Sequence, residues 1–228
     1  MRDRIQHIFF DLDHTLWDFD RNSKLAFEQL FLAHSITVDL DAFMKVYEPI
    51  NFAYWKRYRE ERVTKQELRR GRFFEAFLPF GIHFSDTELD ILATTYIDEL
   101  PKNNFLFEGA MEVLQYLSEK YILHIITNGF EEVQHLKLKN SGILPYFKTV
   151  TTSEEVGLKK PNPVIFQKAL EKAVAHPKIS IMIGDTFEAD ILGAEAVGME
   201  TLFYNYRNES IPPQYRVINR ILDIKKHL

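Results

Sequence analysis

Two aspartates one residue apart, Asp11 and Asp13, close the apolar run Ile8-Phe9-Phe10, and Thr15 follows two positions later. Paired carboxylates repel each other, and apolar surroundings make each charge costlier. Such a doublet calls for a positive charge between its members or for exposure to water. Three further polar clusters punctuate the chain: Thr127-Asn128-Gly129 after Ile126, Lys159-Lys160-Pro161, and Gly184-Asp185 with Asp190 after Ile183.

Carboxylates without clustered histidines suit a hard, oxygen-seeking cation, Mg²⁺ above all. That cation removes the repulsion within the doublet and offsets the charge of a phosphate, which otherwise avoids aspartate. A lysine, a hydroxyl and free backbone N–H groups at a helix start complete a phosphate cradle. An aspartate can then attack phosphorus to give an aspartyl phosphate. A neighbouring carboxylic acid can protonate the departing alcohol and, once ionised, activate water for the second step.

Short apolar segments rich in β-formers must position these clusters. Ile5–Phe10, Tyr121–Ile126, Lys178–Ile183 and Thr201–Tyr204 read as strands, with Lys148–Thr151 and Tyr215–Ile218 as weaker ones. Helical patterns lie between them, at about Gly109–Lys120, Phe130–Ser141, Pro163–Ala175 and Glu188–Val197, and Gly142 and Gly198 stand where left-handed caps are common. The alternation predicts an α/β fold with a mostly parallel, Rossmann-like sheet, in which ligands gather at the carboxyl ends of the strands.

The stretch from Phe19 to Lys102 holds no convincing strand. It reads as helices near Arg21–Ala33, Leu40–Arg62, Lys65–Phe77 and Ser85–Leu100, with capping boxes at Thr64/Glu67 and Ser85/Glu88. The expected organisation is an α/β core of residues 1–18 and 103–228, interrupted by an all-helical insert of residues 19–102.

Four motifs resemble those of the haloacid dehalogenase superfamily, in its phosphatase branch: Phe10-Asp11-Leu12-Asp13-His14-Thr15-Leu16, Ile126-Thr127-Asn128-Gly129, Lys160-Pro161 and Gly184-Asp185-Thr-Phe-Glu-Ala-Asp190. Their order and spacing fit across essentially the whole chain. The resemblance implies that Asp11 is the nucleophile and Asp13 the general acid/base, its backbone carbonyl on Mg²⁺. Thr127 and Lys160 would bind the transferring phosphoryl group with the Asn128 backbone. Asp11, Asp13 and Asp185 would hold the metal, and Asp190 would orient Lys160 or metal-bound water. Lys159 competes for the lysine role, but the family places its lysine immediately before proline. His14 stands where glycine is usual, and its side chain could face substrate.

The helical insert resembles the family's small cap, which closes over the site and selects the leaving group. Ile126-Thr-Asn-Gly-Phe130, Ser153-Glu-Glu-Val-Gly157 and Gly71-Arg-Phe73 resemble the pyrimidine 5′-nucleotidase group, and this makes Arg72 a substrate-binding candidate. Tyr54, Trp55 and Tyr58 could stack a nucleobase, although packing within the insert explains them as well. Trp17 and Asp18 fall at the junction of core and insert. The histidines other than His14 show no metal-ligand spacing and receive no role.

With 228 residues, 46% of them hydrophobic, the chain can bury a sizeable core, and a net charge of -5 argues against a nucleic-acid backbone partner. The absence of cysteine excludes thiolate nucleophiles, thiolate metal sites and disulfides. No apolar stretch reaches the roughly 18 residues of a membrane span. The expectation is a cytoplasmic, Mg²⁺-dependent phosphomonoester hydrolase, monomeric or homodimeric, acting on nucleoside 5′-monophosphates. The alternatives are a phosphatase for phosphoglycolate or a sugar phosphate, a phosphomutase, a metal-independent dehalogenase, and a non-catalytic nucleotide-binding protein.

Overall fold

The computed structural model describes residues 4–228. The elements run β1 (His7–Phe10), α1 (Phe19–Ala33), α2 (Leu40–Arg59), α3 (Lys65–Phe77), α4 (Asp86–Glu99), α5 (Ala110–Ser118), β2 (Ile122–Thr127), α6 (Glu131–Asn140), β3 (Phe147–Thr152), α7 (Ser153–Val156), α8 (Pro163–Ala173), β4 (Ser180–Gly184), a π-helical turn (Phe187–Leu192) leading into α9 (Gly193–Glu195), β5 (Glu200–Tyr204), β6 (Val217–Ile218) and α10 (Ile224–His227). Two compact units result: residues up to Phe19 with Asn104–Leu228, and Asp20–Asn103.

The first unit is a six-stranded parallel sheet of order β3-β2-β1-β4-β5-β6. Every residue of β1 is buried, as expected of a strand covered on both faces. Phe9, Ile126 and Met182 pack with Ile165, Phe166, Ala169 and Leu170 of α8. The chain winds outward from β1 through β2 to β3, then returns to the other side of β1 for β4 to β6. The switch point therefore falls at β1, between β2 and β4, where open α/β sheets form their crevice. Phe10 of β1 pairs in register with Ile125 of β2 and Ile183 of β4, so the three strands end at nearly one level.

The second unit is helical and built on an aromatic core. The Phe27 ring lies 4.5 Å from Tyr47, 4.7 Å from Tyr96, 4.9 Å from Phe43 and 5.5 Å from Phe73, centroid to centroid. Both capping boxes form: Thr64 caps α3 and Ser85 caps α4. Tyr54 is buried, with its hydroxyl on Glu75, and Trp55 packs edge-on against Tyr58. Among the described residues, no helix is long and apolar enough to cross a membrane.

Two elements differ from the sequence expectation. Helix α2 stops at Arg59 rather than Arg62, because Glu61 adopts a left-handed backbone (φ 58°) that no glycine announces. The regular helix expected over Glu188–Val197 instead opens with a π-helical turn, a wide turn often found at functional sites. Asp190 sits in it.

Candidate active site

Asp11 follows β1, with its backbone N–H donating to the Ile183 carbonyl of β4 at 2.9 Å. Lys160 reaches it from the loop before α8: Lys160 Nζ lies 2.8 Å from Asp11 Oδ1, 2.6 Å from Asp190 Oδ1 and 2.8 Å from the Ile126 carbonyl. The lysine is buried and all three ammonium protons have acceptors. Burial alone would lower its pKa; Asp11 and Asp190 outweigh that and hold it above its ordinary value. The Asn128 amide clamps the lysine backbone, donating to the Lys160 carbonyl at 3.0 Å and accepting from the Lys160 N–H at 2.9 Å. Asp190 Oδ2 accepts the Thr186 N–H at 2.9 Å, so both of its oxygens are engaged. Gly184 makes room for it, because a Cβ there would lie 2.3 Å from Asp190 Oδ2.

Asp13 takes a different surrounding. Its Oδ1 accepts from Lys137 Nζ at 2.6 Å and its Oδ2 from Gln134 Nε2 at 3.0 Å. Gln134 Nε2 also donates to Thr127 Oγ1 at 2.7 Å, which joins Thr127, Gln134 and Asp13 in one chain. The approach needs Gly129: a Cβ there would stand 2.4 Å from the Gln134 amide. Thr127 Oγ1 further accepts the Gly129 N–H at 3.1 Å.

Asp185, just past β4, accepts from Thr15 Oγ1 at 3.3 Å, and Arg207 lies 3.7 Å from its other oxygen. Carboxylate oxygens of Asp11, Asp185 and Asp190 lie within 4.8 Å of one another. Burial pushes the Asp11 carboxyl up to about 7, against the pull of Lys160; Asp190 and Asp13 push the same way. Burial, then Asp11 and Asp190, raises Asp185 well above the carboxylate range despite Arg207 and Lys160. Three carboxylates facing only Lys160 and Arg207 leave negative charge over, and an all-oxygen donor set with that surplus fits a hard divalent cation such as Mg²⁺.

His14 has a left-handed backbone (φ 61°), which accounts for glycine being the usual residue there. Its ring does not stand free. Tyr206 Oη lies 2.8 Å and Arg207 Nη2 3.1 Å from Nδ1, and since a guanidinium only donates, Nδ1 is the acceptor. Burial, Arg207 and Lys137 keep the imidazole neutral.

The first unit thus assembles Asp11, Asp13, Thr127, Asn128, Lys160, Asp185 and Asp190 around the ends of β1, β2 and β4. Asp13 turns its carboxylate to α6, so its side chain is not part of the three-acid cluster. Arg72 lies in the helical unit, buried, with Nη1 donating to Asn51 Oδ1 at 2.9 Å. Sequence reasoning missed Gln134, Lys137, Tyr206 and Arg207. The first two carried a faint signal, polar residues three apart on the helix directly after a site loop; the last two carried none. It also gave no role to His7 and His124, which pair across β1 and β2 (Nδ1 to Nε2, 3.1 Å), with His124 Nδ1 2.8 Å from Thr149 Oγ1 of β3.

A family model described as haloacid dehalogenase-like hydrolase matches residues 5–198. The chain belongs to this family. Within the haloacid dehalogenase-like hydrolases it is similar to the pyrimidine 5′-nucleotidase PynA of Streptococcus pneumoniae, 35% identical over 87% of this chain and 83% of that protein. It is also similar to the pyrimidine 5′-nucleotidase YjjG of Escherichia coli, 34% identical over 90% and 88%. Its fold superposes on the magnesium-bound HAD-hydrolase YfnB of Bacillus subtilis with a TM-score of 0.89, at 28% identity and 99% coverage of both chains. The protein is an enzyme of the phosphatase side of this family.

Proposed function

We propose that this phosphatase hydrolyses nucleoside 5′-monophosphates, pyrimidines first, with Asp11 as nucleophile and Mg²⁺ as cofactor. The observation that carries the reading is Lys160, buried and held between Asp11 and Asp190 beside Asp185, with Thr127 at the end of the neighbouring strand. The likeness to two pyrimidine 5′-nucleotidases supports the substrate class.

On this reading an Asp11 oxygen attacks phosphorus as the ester P–O bond breaks. The leaving alkoxide takes its proton from Asp13, while Lys160, Thr127 and the Asn128 backbone hold the phosphoryl oxygens. Water then attacks the aspartyl phosphate and gives its proton to Asp13, which releases inorganic phosphate and restores the Asp11 carboxylate. Asp11, Asp185 and the Asp13 carbonyl would hold Mg²⁺, which offsets charge between acids and ester. Asp190 keeps Lys160 in place. Arg72, with Nε and Nη2 buried and unpartnered, would donate to an acceptor on the leaving nucleoside. We assign the enzyme to the cytoplasm, with a small phosphate ester as its partner.

The test is phosphate release from pyrimidine and purine nucleotides, phosphoglycolate and sugar phosphates, with and without Mg²⁺. Uridine and thymidine 5′-monophosphates should lead, and EDTA should abolish turnover. Faster release from phosphoglycolate or a sugar phosphate would overturn the nucleotide assignment; full activity in EDTA would overturn the metal.

A further inference from the structure

Helix α6 sends two polar side chains, one turn apart, onto the same carboxylate. Lys137 is 2% exposed, with its ammonium 2.6 Å from Asp13 Oδ1. The ammonium also lies 4.3 Å from the Trp17 ring centroid and 5.2 Å from that of Phe19. Gln134 is fully buried and spans Asp13 Oδ2 and Thr127 Oγ1 with one amide nitrogen. Burying a lysine is costly unless an anion and a polarisable surface take the place of water. A leucine would fill the space beside Trp17 and Phe19 without that cost, so packing does not account for Lys137. The glycine at position 129, which gives the Gln134 amide room, belongs to the same arrangement.

We propose that Lys137 and Gln134 are positioning residues for Asp13. Each holds one carboxylate oxygen, so the side chain cannot rotate about its own bonds. The bridge through Gln134 sets it at a fixed distance from Thr127, and hence from the phosphoryl group that Thr127 would grip. Asp13 keeps a side-chain exposure of 20%, so the fixed carboxylate is still open to a reactant. Lys137 acts on the proton transfer alone, while Gln134, which also holds Thr127, acts on the phosphoryl grip as well. A misplacement of about 1 Å in such a group can cost about 100-fold in rate. The inference rests on the reading above that Asp13 carries the proton to the leaving oxygen.

A leaving group that needs no proton separates this role from a structural one. Wild type, Lys137→Met, Lys137→Arg and Gln134→Leu are compared on uridine 5′-monophosphate, whose alkoxide needs a proton, and on 4-nitrophenyl phosphate, whose phenolate leaves without one. The comparison uses kcat/KM, which covers binding and phosphoryl transfer and leaves out the later hydrolysis of the aspartyl phosphate. Lys137→Met should lose about 30-fold or more on the nucleotide and less than about 5-fold on the aryl ester. Lys137→Arg should recover most of the loss, and Gln134→Leu, which also releases Thr127, should lose on both esters but more on the nucleotide. Equal losses on both esters for Lys137→Met, or no loss on either, would overturn the proposal. If Lys137→Met gives no cooperative melt, Lys137→Gln and Gln134→Leu carry the same comparison. A wild type that spares uridine 5′-monophosphate but hydrolyses glycerol 3-phosphate would overturn the nucleotide assignment alone, and glycerol 3-phosphate then serves as the alkyl ester.

Discussion

The two units bury cationic side chains in opposite ways. In the α/β unit, Lys160 lies between Asp11 and Asp190, and Lys137 rests on Asp13 and the Trp17 ring. In the helical unit, Arg72 is as deeply buried, yet among the described residues its one hydrogen-bond partner is the neutral oxygen of Asn51. The Tyr96 ring lies 5.2 Å and the Phe73 ring 5.7 Å from its guanidinium, while Nε and Nη2 have no partner. Charge that is paired in the resting protein holds geometry in place for a reaction. Charge left short of acceptors costs stability until something supplies them. On the function proposed, the first serves the chemistry and the second the choice of substrate.

The largest break in this contrast comes at the proposed nucleophile, Asp11. Asp11→Asn should lower kcat by at least about 10⁴-fold. Its melting temperature should stay level or rise, since a neutral amide escapes the burial that drives the carboxyl up to about 7. Residual turnover near wild type would move the nucleophile elsewhere.

Next come paired removals, one in each unit. Asp190→Ala strips Lys160 of a buried partner and should cost about 3 kcal/mol in urea unfolding, with a large fall in kcat. Arg72→Met should leave stability unchanged or improved and lower kcat/KM about 10- to 100-fold on uridine 5′-monophosphate, with little change on 4-nitrophenyl phosphate. If Arg72→Met proves as destabilising as Asp190→Ala, the guanidinium is an internal strut and the contrast fails.

Magnesium sharpens the picture at intermediate scale. Asp11 and Asp185 have raised pKa values when folded, so without metal their contribution to stability is present at low pH and lost as pH rises from about 4 towards 7 and beyond. Added Mg²⁺ should therefore raise the melting temperature by several degrees at pH 8 and by much less at pH 5.5, where protons compete for the same oxygens. An equal shift at both pH values would place the ion away from these acids.

The smallest effect lies in the sheet. Burial, and then His7, lowers His124 from 6.5 to about 4. Its contribution is present above pH 6.5 and lost as pH falls towards 4. Replacing His124 with Gln should flatten the acid limb of the melting curve, and an unchanged limb would mean that the pair plays no part in it.

Much of the α/β unit was legible because its signals are local. Buried strands announce themselves as short apolar runs, and Gly142 and Gly198 mark helix ends through the left-handed backbone (φ 74° and 84°) they adopt. Asp11, Asp13, Thr127, Lys160, Asp185 and Asp190 were legible by type and order. The end of α2 at Arg59, set by the left-handed Glu61, and the wide turn at Asp190 were not, because each depends on a backbone conformation that its residues do not favour by themselves.

What the chain determined alone was the alternation of strands and helices, the place of the helical insert, and which acids, hydroxyl and lysine follow which strand. The tertiary structure decided how they meet. Lys137 and Gln134 find Asp13 across separations of 124 and 121 residues, and Lys160 finds Asp11 across 149. Those distances close through the order and register of β1, β2 and β4. Local propensity and periodicity say that a helix has a polar residue on one turn. They carry no information about which carboxylate that turn will meet once the sheet has formed.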